Sequence, residues 1–136
     1  MDIETNEFQW LEIIEKKHLL KLKQIVIEFH FVFEDNDWVD QLFTQLSFPI
    51  SRDRRINCLK KLAETHYLIH FHPNNFDNRT ILYNNIEVPK VFECTYIRKD
   101  LCKSIHFNTK EIPDNVLDKK NTNNSDIYLR GYPYTV

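Results

Sequence analysis

Residues 24–33 read QIVIEFHFVF, a run of β-branched and aromatic side chains interrupted only by Glu28 and His30. The run is too short and too stiff at χ1 to favour a helix, so it reads as a strand buried on both faces, of the kind found inside parallel sheets. Before it, Phe8, Leu11, Ile14, Leu19 and Leu22 fall near helical spacing, which predicts a helix over residues 7–23 with Asn6 as its cap. After it, residues 34–40 are polar and turn-prone. Pro49 and Ser51 then introduce a second helix over residues 52–66, with Ile56, Leu59, Leu62 and Ala63 on its apolar face and Arg52, Arg54, Arg55, Lys60 and Lys61 on a solvated one. Residues 67–72 (YLIHFH) and 91–98 (VFECTYIR) read as two further strands, separated by a polar stretch with a small apolar insert. From residue 108 the periodicity dissolves. The expected organisation is one α/β unit over residues 1–107 and a polar tail over residues 108–136, packed on it or partly disordered.

The composition narrows the chemistry. The chain has 136 residues, 42% of them hydrophobic, enough for one core. A single glycine, Gly131, removes the glycine-rich loops that cradle nucleotide phosphates. Eighteen basic against twenty acidic side chains leave a formal charge of −2, so no basic field recommends DNA or RNA as a partner. Three cysteines without CxxC spacing suit reduced thiols, and no apolar leader or span is legible, which predicts a cytoplasmic protein without a membrane partner.

Several blocks together resemble the FkbM-type branch of S-adenosylmethionine-dependent methyltransferases. The carboxyl half of that family reads, in outline, K-x-D-I-E-G-x-E, a helix with a Trp-Leu pair, V-I-E-F-H, a second helix, Y-x-x-x-H-x-H-x-N-N, and P-x-V-x-E-x-T-Y. This chain carries MDIETNE, FQWL, QIVIEFH, HYLIHFHPNN and VPKVFECTYIRKD in the same order over about residues 1–100. The resemblance implies a partial Rossmann-like methyltransferase sheet with flanking helices. Residues 1–4 would be the end of its fourth strand, residues 24–31 the fifth, 67–72 the sixth and 91–98 an antiparallel seventh, in spatial order 4-5-7-6. Thr5 and Asn6 stand where the family has small or glycine residues. The family's cofactor loop has no counterpart here, so the resemblance implies an acceptor-side half with an incomplete S-adenosylmethionine site.

Ligands of open α/β sheets sit beyond the carboxyl ends of the strands. On the implied strand assignment that rim collects Glu28 and His30, then His70 and His72, then Glu93, as candidate catalytic residues. Asn74 and Asn75 follow as candidate substrate-binding residues, and Asp2 and Glu4 as candidate cofactor-binding residues. One reading is acid–base chemistry on the hydroxyl of a small molecule or sugar acceptor. A second is that the same groups satisfy one another at a sheet edge as part of a non-enzymatic interaction module. A weaker third uses His70 and His72 with Glu28 or His30 to hold a hydrolytic metal. His18 and His106 read as solvated, and the cysteines as small apolar residues. A shortened fourth strand would leave the fifth strand's edge open to a complementing chain or a homodimer.

Overall fold

A computed structural model describes residues 2–46 and 48–136. It is a mixed α/β structure whose central sheet is antiparallel. In chain order the elements are α1 (Glu7–Ile13), α2 (Lys16–Leu19), β1 (Gln24–His30), α3 (Asp37–Gln45), α4 (Arg52–Thr65), β2 (His66–Pro73), β3 (Thr80–Tyr83), β4 (Ile86–Pro89) and β5 (Val91–Arg98). The three-stranded sheet has the order β1-β5-β2. Because β5 runs antiparallel to both neighbours, β1 and β2 point the same way on either side of it. Their carboxyl ends and the start of β5 therefore share one edge, with His30 opposite Val91 and Pro73 opposite Phe92.

The expected interior strand of a parallel sheet is thus an edge strand of an antiparallel one. Ile25, Ile27 and Phe29 alternate into the core, while the opposite face of β1 carries Val26, Glu28 and His30. The expected fourth strand is not formed by residues 2–6. They make a turn closed by the Asn6 amide on the Ile3 carbonyl (3.2 Å), and Glu4 and Thr5 have φ of 47° and 71°. A left-handed backbone cannot continue a strand, and a β-branched residue adopts it at a cost. Met1 lies outside the described residues.

Other expectations change at identifiable residues. The first helix ends at Ile13, where Ile14 and Glu15 turn extended, and restarts as the single turn α2, which brings Leu19 into the core. Asn6 makes no side-chain cap. The loop expected over residues 34–40 gives way to α3: the Asn36 side chain accepts from the Val39 amide (3.0 Å), and Val39 and Phe43 supply its buried stripe. The polar stretch 76–90 holds the β3–β4 hairpin, whose two-residue turn places Asn84 and Asn85 at φ of 50° and 64°, a conformation asparagine tolerates.

One layer of helices covers the apolar face of the sheet. Phe8 of α1 packs on Phe29 and Phe43, Phe29 on Phe92, and Phe92 on Phe71, with ring centroids 4.9–5.9 Å apart. On α4 the buried positions are Arg55, Cys58, Leu62 and Thr65, so Ala63 is exposed and Arg55 does not belong to the solvated face expected for it. The tail forms a small second cluster of Ile112, Ile127 and Leu129 that meets the main core at Phe71. Among the described residues no helix is long and apolar enough to cross a membrane.

Candidate functional site

The strand register does most of the positioning. Glu28, Glu93 and His72 lie directly opposite one another across β1, β5 and β2, so their side chains form a row on the face away from the main helices. His30 stands two residues beyond Glu28 on the same face. Asn74 follows β2 and donates from Nδ2 to Glu28 Oε1 at 2.5 Å.

His30 is the centre of the arrangement. Its backbone amide and its Nδ1 both meet Glu7 Oε1, at 2.9 and 3.2 Å, and its Nε2 lies 3.6 Å from Glu4 Oε2 and 3.7 Å from Glu28 Oε2. Asp2 completes the group. Burial opposes charge on this imidazole, but the hydrogen bond it donates to Glu7 and the charges of Glu7, Glu28 and Glu4 outweigh it, so its pKa is raised. The pKa of Glu28 is also raised, chiefly by burial and against the lowering effect of Asn74 and His30. Within this pair, the histidine expected as a base is therefore biased toward its protonated, donating form. Glu28 holds a proton more readily than an ordinary carboxylate does.

His72 and Glu93 form a separate pair at 3.4 Å, and Asn121 of the tail donates to the other oxygen of Glu93 at 2.7 Å. The remaining residues expected at the rim are engaged elsewhere. His70 Nε2 meets Asp118 Oδ1 at 2.6 Å, two register positions further from the edge than His72. Asn75 is fully buried, its amide spent on the backbone of Thr122 and Asn124 and on Asp126. The structure thus gathers Glu28, His30 and Asn74 with Asp2 and Glu4, keeps His72 and Glu93 beside them, and draws His70 and Asn75 to the tail. Sequence reading missed Glu7, Asp118 and Asn121. Only Glu7 had a signal, as the last residue of the MDIETNE block.

The residues present do not make a fitting seat for S-adenosylmethionine. Asp2 and Glu4, expected to face the cofactor, close on an imidazole from a turn, and the chain's one glycine is in the tail. Two surface hollows lie away from the rim, along α3 at Asp37, Asp40 and Thr44, and between Lys16, Glu64 and Arg98. Compared with family models, with curated proteins and with solved structures, the chain has no match.

The His72–Glu93 pair yields a pH prediction. The Glu93 hydrogen bond, against burial and with help from Asp118 and Asp126, raises the His72 pKa above its ordinary 6.5. The same bond lowers that of Glu93 below 4.5. A raised histidine contributes stability that is complete below pH 6.5 and is lost as pH rises through the folded value. A lowered carboxylate contributes above pH 4.5 and loses it as pH falls. Glu93 is partly open to solvent, so the effect is modest. Relative to wild type, His72→Gln is expected to cost about 0.5–1 kcal/mol more at pH 5.5 than at pH 8.5, measured by urea unfolding. An equal cost at both values would show that the pair does not titrate as described.

Proposed function

We propose that this chain is the acceptor-side half of a methyltransferase-like α/β domain, serving as a scaffold whose rim binds a small hydroxylated ligand of sugar type. The observation that carries the reading is the placing of β5, reversed between two strands that point the same way, so that His30, Glu28 and Asn74 meet at one sheet edge. That is the strand order implied by the resemblance for strands five, seven and six. The chemistry of the rim agrees with it: carboxylates accept from hydroxyls and a protonated imidazole donates to them. The methyl donor has no part in the proposal, because the residues nearest its expected place face His30 instead.

The test is a titration of the 15N-labelled chain with glucose, galactose and glucosamine, and separately with S-adenosylmethionine. Saturable shifts of the amides at residues 28–30 and 72–75 are expected with at least one sugar, and none with the methyl donor. If the sugars leave those amides still, the acceptor-side reading fails. If S-adenosylmethionine binds saturably, the donor-less reading fails.

A further inference from the structure

Among the described residues, negative charge at the rim exceeds the positive charge paired with it. Asp2, Glu4, Glu7 and Glu28 surround one imidazole, and among the described residues no lysine or arginine forms an ion pair with any of the four. One ligand atom from each of Asp2, Glu28 and His30 falls within 4.8 Å of the others. Donors around a zinc-sized ion stand about 2.0–2.2 Å from it and so roughly 3–4.4 Å from one another, which makes the required contraction small.

A second observation lies behind the ring. Glu7 is wholly buried; its Oε1 holds the imidazole by Nδ1, and its Oε2 is buried with no hydrogen-bond partner. An unpaired buried carboxylate oxygen is costly unless positive charge stands close by. With Nδ1 committed to Glu7, the proton that a bound ion would displace from His30 is the one on Nε2, the atom that faces Glu28 and Glu4. A carboxylate behind a histidine whose other nitrogen faces further oxygens is how proteins orient and strengthen an imidazole ligand for a metal.

We propose that Asp2, Glu28 and His30 bind a divalent first-row transition-metal ion, with Glu7 behind the imidazole. One nitrogen with carboxylate oxygens suits Mn2+ or Zn2+; Mg2+ prefers an all-oxygen shell that keeps several waters. The site differs from one built on His70 and His72, which are held by Asp118 and Glu93. It does not depend on the methyltransferase-like reading, since its donors stand together whatever the scaffold's ancestry.

The test uses the untagged full chain. Calorimetry with Mn2+ and with Zn2+ is expected to show one-to-one binding by at least one of them, and Mg2+ to bind at least tenfold more weakly than that ion. Asp2→Asn, at an exposed position that leaves the core untouched, and Glu28→Gln are each expected to weaken binding tenfold or more. Substoichiometric Mn2+ should broaden the amides of residues 2–7 and 28–30 before any others. No binding of either ion at millimolar concentration would overturn the proposal. So would binding that survives both substitutions, or first broadening centred on His18 or His106.

Discussion

Replacing Arg55 with methionine is expected to lower the unfolding free energy by about 3–5 kcal/mol, because several buried backbone acceptors lose their donor at once. The guanidinium is fully buried and donates to three backbone carbonyls: Val32 at 3.3 Å, Ile50 at 2.7 Å and Glu34. Those carbonyls belong to the segment after β1 and the segment before α4. One side chain thus satisfies both connections that flank α3, with its charge over the ring of Phe43 at 5.0 Å. Methionine fills much of the volume but leaves three acceptors without donors, each costing about 1–3 kcal/mol where water cannot reach. Lysine at the same place keeps the charge as a point and cannot span the fork, so Arg55→Lys should recover less than half of the loss. Urea unfolding followed by the fluorescence of Trp10 and Trp38 measures both. A cost below about 1 kcal/mol for methionine would mean that the two connections solvate their own carbonyls.

Arg55 also marks where reading the chain alone stops. In a helix that carries Arg52, Arg54, Lys60 and Lys61, its charge looks like one more member of a solvated face, and nothing local separates it from them. What separates it is the set of carbonyls brought over it from 21 and 23 residues away and from the loop five residues before it. The strands were legible because β-branched and aromatic runs report burial locally; their antiparallel arrangement was not, since strand neighbours are a property of the whole sheet. α3 carried its signals, the Asn36 cap and the spacing of Val39, Leu42 and Phe43, but they follow a polar stretch that reads equally well as a turn. At the rim, Glu28 and His30 announced themselves as polar groups inside an apolar strand. The sorting of His72 from His70 did not, because it depends on a register irregularity between Leu68 and His70 and on Asp118, 48 residues further along.

The same long reach makes Asn75 a decisive test of how the tail and the rim are joined. Asn75→Ala is expected to cost about 2–3 kcal/mol, less than the sum of its contacts because part of the freed backbone finds water. Its Nδ2 donates to the carbonyls of Thr122 (3.2 Å) and Asn124 (2.9 Å) and to Asp126 (3.3 Å), while its Oδ1 accepts from the Thr122 amide at 2.9 Å. A single planar amide therefore holds a loop with few apolar residues of its own. Without it, the tail keeps the Ile112, Ile127 and Leu129 cluster but loses the anchor that sets where Asp118 and Asn121 fall. Hydrogen exchange at the Thr122 amide and its neighbours up to residue 126 should speed up by about 30- to 150-fold, the factor corresponding to 2–3 kcal/mol, with β1 and β5 almost unaffected. His72 should also titrate closer to 6.5, because Glu93 loses its bond from Asn121 and turns to water. Aspartate is no substitute: it keeps the acceptor for Thr122 but puts a second carboxylate against Asp126, so Asn75→Asp should be at least as damaging. Unchanged exchange over residues 122–126 in Asn75→Ala would show that the apolar cluster alone seats the tail, and that Asn75 does not control what reaches the rim.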